Sequence, residues 1–161
     1  MLIKVVLIIL LMAGGWLLYE NSRTLTEKDV RVFYEQTNHE MRMRNAEALC
    51  AQLAPNFKGL GVTVSGEDRY WTTIRKKKTC DGYQTIFRGW DRAAAQLNYS
   101  LIVLSIRIAP DGRSAEVQTE ELIDVAGAPM VLRASSTDTL IKQNWVTLIE
   151  ASEYRIVVGS R

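Results

Sequence analysis

Two acidic residues stand out for the company they keep. Glu121 lies in Thr119-Glu120-Glu121-Leu122-Ile123, and Asp138 in Ser136-Thr137-Asp138-Thr139-Leu140. In both stretches alternate residues are apolar or hydroxyl-bearing. A carboxyl drawn among such neighbours has its pKa raised toward the range useful for moving protons. Glu121 and Asp138 are therefore the candidate acid–base residues, with Thr119 and Ser136 on the same faces. The rival reading places both carboxylates at a sheet rim or beyond the helices, solvated. Tyr34, Tyr83 and Trp90 fall on apolar helical stripes and complete a candidate ligand pocket, the tyrosines as hydrogen-bond donors.

The remaining chemistry-bearing residues exclude more than they offer. His39 is the only histidine; it lies off the apolar stripe and reads as a surface residue. One histidine and no Cys-x-x-Cys spacing argue against a metal, and no cofactor is implied. Cys50 and Cys80 are the only cysteines, both on core-facing stripes. In an exported protein such a pair forms a disulfide, closing a loop of about 30 residues and stabilising by roughly 2–4 kcal/mol. The alternative is two buried thiols. Arg75-Lys76-Lys77-Lys78 is a cationic run that reads as a solvated face or as a contact for anionic lipid headgroups. A net charge of +2 over 161 residues gives no sign of a nucleic-acid binder.

The elements that must position these residues follow from periodicity. Tyr99–Ala109 alternates, with Ile102, Leu104, Ile106 and Ile108 on one face. Asp111-Gly112 then fits a two-residue type I′ turn, and Ser114–Val125 turns Ala115, Val117, Thr119, Ile123 and Val125 to one side. Ala126–Pro129 is the next turn, followed by strands over Met130–Lys142 and Trp145–Val158. This arrangement sets Ile106 opposite Val117, Leu104 opposite Thr119, Ile123 opposite Leu132 and Thr119 opposite Ser136. The outer face then includes Leu101, Val103, Val131 and Ile141, a plausible surface for a homodimer or protein partner.

Upstream, Thr26 and Asp29 have the spacing of a helix N-terminus. The helix they open carries Val30, Phe33, Tyr34, Thr37 and Met41 on one stripe. Asn45 caps a short second helix through Leu53, stopped by Pro55. Phe57–Ser65 is extended, and Tyr70–Ile74 is either a short strand or the entry to a helix. Cys80, Tyr83, Phe87, Trp90, Ala94 and Leu97 form the stripe of a third helix. The predicted body is α+β: three helices laid on one face of a curved antiparallel sheet, preceded by an N-terminal hydrophobic helix.

That N-terminal segment sets the compartment. Val5–Leu18 is an uncharged run of about 14 residues, which Leu2, Ile3 and a snorkelling Lys4 extend toward the length of a membrane span. Ala13-Gly14-Gly15 also fits a signal-peptide cleavage site, while Trp16 and Tyr19 suit a membrane interface. Residues 1–20 thus read as a signal-anchor or signal peptide, 21–25 as a linker and 26–161 as the folded domain. The domain is expected outside the cytoplasm, held to the membrane, or secreted if the N-terminus is cleaved.

From Thr26 to Val158 the pattern resembles the nuclear transport factor 2-like superfamily, with the SnoaL-like, polyketide-cyclase-related branch nearest. A long first helix, a short second one introduced by Asn45-Ala46-Glu47-Ala48-Leu49, and a four-stranded meander with Gln143-Asn144-Trp145-Val146 at its last turn carry the resemblance. It implies a cone-shaped α+β barrel whose mouth holds a small apolar ligand. Enzymatic branches use an Asp or His base with tyrosine partners, and many members only bind or dimerise. Two readings follow: a non-catalytic binding or assembly domain, or an isomerase, cyclase or dehydratase with a buried carboxylate. A desolvated carboxylate with a tyrosine in hydrogen-bond reach, in an enclosed pocket, favours the enzyme. A filled cone, or carboxylates facing water, favours the module.

Overall fold

A computed structural model describes residues 12, 14–16, 19–92, 97–125 and 130–160. Thr26 caps α1 (Glu27–Arg42) reciprocally with Asp29: Asp29 N donates to the Thr26 hydroxyl, and Thr26 N donates to the Asp29 carboxylate at 2.9 Å. The expected stripe turns inward, with Val30, Phe33, Tyr34 and Met41 all buried. Asn45 caps α2 (Ala46–Ala51) by accepting from Ala48 N. The short helix ends before Leu53, which opens β1 (Leu53–Ser65) as a buried residue instead of closing the helix. Its partner there is Ile149 of the last strand.

Residues 68–75 resolve as a strand, β2 (Asp68–Arg75). Next comes α3 (Lys76–Arg92), which begins inside the cationic run. Three lysines in its first turn oppose the helix dipole, but Lys76 is no free cation, since its ammonium donates to the carbonyl of Leu53. Leu97, expected on the helical stripe, stands instead at the start of β3 (Leu97–Ile108). A meander completes the chain: β4 (Ser114–Val125), β5 (Met130–Gln143) and β6 (Val146–Ser160).

The six strands lie in the order β2-β1-β6-β5-β4-β3. All neighbours are antiparallel except β1 and β6, which run parallel. The sheet is therefore mixed, a correction to the all-antiparallel expectation. The parallel pair arises because β1 and β6, far apart in sequence, are joined by a long connection and not by a hairpin.

The predicted register holds for Ile106 with Val117, Ile123 with Leu132 and Thr119 with Ser136. It fails for Leu104. The pairing shifts between Val103 and Ser105, so that Val103, not Leu104, faces Thr119. One extra residue at a bulge reverses the side of everything beyond it and bends the strand. Leu101 and Val103 thus pack on the core with Ile106 and Ile108, while Ile102 and Leu104 are exposed. Both face assignments made from simple alternation are reversed at these four positions.

The turns also trade roles. At Ala109–Gly112 only Gly112 has a positive φ, and Gly112 N donates to Ala109 O at 2.8 Å. That is a turn closed by a left-handed glycine, not type I′. Positive φ at both central residues occurs instead at Asn144 and Trp145, between the paired Gln143 and Val146. Residues 126–129, expected as the remaining turn, lie outside the described residues.

The core has two parts. One gathers Val30, Phe33, Tyr34, Val117 and Leu140 beneath α1. The other joins Met41, Leu49, Phe87 and Tyr99, where α2 and α3 cover the far end of the sheet. Cys50 and Cys80 are bonded, with Cα atoms 5.2 Å apart, so the disulfide ties α2 to α3 directly over the second part.

Candidate functional site

The sheet places alternate residues of β4 and β5 beneath the helices, and this turns Glu121, Thr119, Ser136 and Asp138 toward a common interior. Tyr34 reaches down from α1, and its hydroxyl donates to Asp138 Oδ2 at 2.6 Å. Asp138 accepts further bonds from Ser152 and Ser136. Thr119 Oγ1 and Ser136 Oγ lie 2.8 Å apart. Glu121 accepts from the Tyr99 hydroxyl. Tyr83 of α3 feels the charge of both carboxyls, yet its hydroxyl takes no protein hydrogen-bond partner among the described residues.

Burial dominates the electrostatics. It pushes the Glu121 carboxyl up to about 7; the Tyr99 bond pulls it back and the charge of Asp138 raises it further. Burial likewise lifts Asp138 above its ordinary value, against the opposing bonds from Ser152, Tyr34 and Ser136. Tyr34, Tyr83 and Tyr99 are all raised, first by burial and then by the neighbouring carboxyls. The phenols accordingly stay protonated donors through the physiological range.

The two carboxyls are not equivalent. Asp138 is 5% exposed and three side chains donate to it, which leaves it little capacity for anything else. Glu121 has one side-chain donor, titrates near neutrality, and keeps some solvent contact. A group that exchanges its proton near pH 7 beside an unengaged phenol can act as general acid or base. Asp138 instead holds Tyr34 and the hydroxyl pair in place.

Of the candidates from sequence, Glu121, Asp138, Tyr34, Tyr83, Thr119 and Ser136 converge. Trp90 does not join them: it packs on Phe87, ring centroids 5.5 Å apart, at the edge of the second core part. His39 is exposed. Tyr99 and Ser152 are site residues that alternation alone passes over. Tyr99 faces inward across from Ile123, and Ser152 meets Asp138 through strand pairing. Among the described residues no three His, Cys, Asp or Glu side chains converge as metal ligands.

A groove of about 140 Å³ runs along the seam of α1 and β3, lined by Tyr34, Asn38, Leu101 and Val103. Its wall carries Asn38 Oδ1, buried without a hydrogen-bond partner. Of the cluster only Tyr34 lines it; Glu121 and Tyr83 do not. Two larger grooves, each about 430 Å³, lie on the helix-free face of the sheet and share Ser135 and Arg155.

The curved six-stranded sheet with its three helices matches solved structures in fold. One is an NTF2-like protein of unknown function from Shewanella baltica, 11% identical, covering 80% of this chain and 91% of that one at a TM-score of 0.58. The chain has the nuclear transport factor 2-like fold. A second protein with this fold, of unknown function and from Silicibacter pomeroyi, is 18% identical over 80% of this chain and 93% of its own, TM-score 0.55. A third, a putative scytalone dehydratase from Novosphingobium aromaticivorans, is also 18% identical, over 83% and 86%, TM-score 0.58. No protein-family model and no curated protein sequence matches. The nuclear transport factor 2-like cone thus accounts for the architecture.

Proposed function

We propose that this domain binds a small molecule beside the interior cluster and moves a proton on it, with Glu121 as acid–base group. The observation that carries this reading is the convergence of a half-buried Glu121, its carboxyl raised to about 7, with the unengaged hydroxyl of Tyr83. In this reading Glu121 removes a proton from carbon next to a carbonyl, and Tyr83 donates to the oxygen on which charge builds. The likeness in fold to a protein named a dehydratase agrees with an isomerase or dehydratase. The test is solvent deuterium incorporation into a panel of single-ring hydroxyketones, followed by NMR. Exchange that Glu121→Gln abolishes and Tyr83→Phe reduces supports the reading; exchange no faster than buffer for the whole panel removes it.

A second reading, an assembly module working through the sheet, has its own observation. The helix-free face exposes Trp71, Ile102 and Leu104. Between them stand Glu120, Arg133, Glu153 and Arg155, which make no ion pair among the described residues although Arg107 and Glu116 nearby do. Exposed apolar groups interleaved with unpaired charges of both signs suit a self-complementary contact. The compartment belongs to this proposal too. The Cys50–Cys80 bond is compatible with an extracellular or periplasmic location. Tethering through residues 1–20 rests on their sequence, because most of that run lies outside the described residues. No helix among the described residues is long and apolar enough to cross a membrane.

A further inference from the structure

The stretch between the apolar N-terminal run and α1 does not hang free. Leu25 N donates to Gly112 O at 2.7 Å, and Trp145 N donates to Ser22 O at 3.1 Å. Arg113 reaches Glu20 at 3.4 Å, and Ser22 and Leu25 are buried. Residues 20–25 are thereby stitched between the β3–β4 turn and the β5–β6 turn, which lie at the same end of the sheet. Glu20 and Ser22 therefore lie at that end.

The same end presents an unusual turn. Trp145 occupies a left-handed position, φ +70°, where a bulky side chain is an outlier and glycine is preferred. Its indole is 56% exposed, with Val146, Tyr19 and Trp16 exposed as well. Cations lie beside the rings: Lys142 Nζ, ion-paired with Asp29 at 3.0 Å, is 5.8 Å from the Trp145 centroid, and the Arg23 guanidinium, which donates to the Tyr19 hydroxyl, is 5.5 Å from that of Tyr19. Core packing does not explain a strained, solvent-facing tryptophan. Aromatic rings paired with cations beside an apolar run are the composition of a membrane interface.

We infer that the Gln143–Val146 hairpin tip docks on the phospholipid surface, Trp145 lying at headgroup level beside the point where the N-terminal run leaves the domain. This rests on the reading of residues 1–20 as a membrane tether, and it fixes which end of the cone faces the bilayer. The test uses the full chain carrying Trp16→Phe, in phosphatidylcholine–phosphatidylglycerol vesicles with acyl chains brominated near the headgroup. It is compared with the same chain also carrying Trp145→Gly; Trp71 and Trp90 are common to both. The expected result is loss of most bromine-quenchable emission in the double variant, with a melting temperature unchanged or higher because Asn-Gly suits the turn. Trp145→Asn, which also tolerates positive φ, is the second variant and behaves alike. Co-flotation with equal quenchable emission overturns the hairpin contact and leaves the tether standing. A full chain that does not float with the vesicles overturns both.

Discussion

Tyr34 on the first helix donates to Asp138 on the fifth strand, 2.6 Å away and 104 positions along the chain. This bond joins the helical layer to the sheet at the centre of the first core part. Its acceptor is a carboxyl that burial makes costly to ionise. Removing the donor leaves that oxygen with fewer partners, at about 1–3 kcal/mol for a buried group. Tyr34→Phe should therefore destabilise by that amount in urea unfolding with an unchanged m-value, and Ser152→Ala by less. A neutral outcome for Tyr34→Phe would mean that Asp138 is sufficiently held by its serines.

Glu121 makes stability depend on pH in an uncommon direction. Its carboxyl is raised from 4.5 to about 7 in the folded chain, so the folded state holds the proton more tightly than the unfolded one. The contribution is whole below about pH 4.5 and is lost as pH climbs to about 7, by at most ~3 kcal/mol. Glu121→Gln should flatten that slope and raise stability at pH 7.5. Denaturant midpoints at a series of pH values, wild type against variant, measure it.

The disulfide ties the two helices that roof the second core part. Reduction, or Cys50→Ser with Cys80→Ser, releases a loop spanning 30 positions and should cost about 2–4 kcal/mol. Alkylation before and after reduction, read by mass spectrometry, verifies the bond. Calorimetry with and without reductant gives the cost.

The bulge at Leu104 makes neighbouring leucines unequal. Leu101→Lys puts an ammonium against the core and should cost more than 3 kcal/mol. Leu104→Lys, on the helix-free face, should change stability by no more than about 0.5 kcal/mol. If the sheet mediates self-association, the same Leu104→Lys shifts the mass in light scattering from dimer to monomer. Equal destabilisation by both substitutions would contradict the shifted pairing between Val103 and Ser105.

Local patterns determined much of this molecule. Capping at Thr26 and Asn45, the buried stripe of α1, the meander and most of its register follow from 3.6- and 2-residue periods, because each reports how neighbouring side chains meet one buried face. The cysteine pair and the convergence of Glu121, Thr119, Ser136 and Asp138 follow from the same periods. Tertiary structure alone decided the rest. The bulge that hides Leu101 and exposes Leu104 costs one residue of parity and leaves no mark in an unbroken apolar run. The parallel pairing of β1 with β6 joins distant segments, Tyr99 meets Glu121 diagonally across the β3–β4 pair, and the meeting of Tyr34 with Asp138 depends on how far the sheet curls. Curvature is a sum over all six strands, so no short segment encodes it. It is that curl which takes two carboxyls out of water and sets them under phenols.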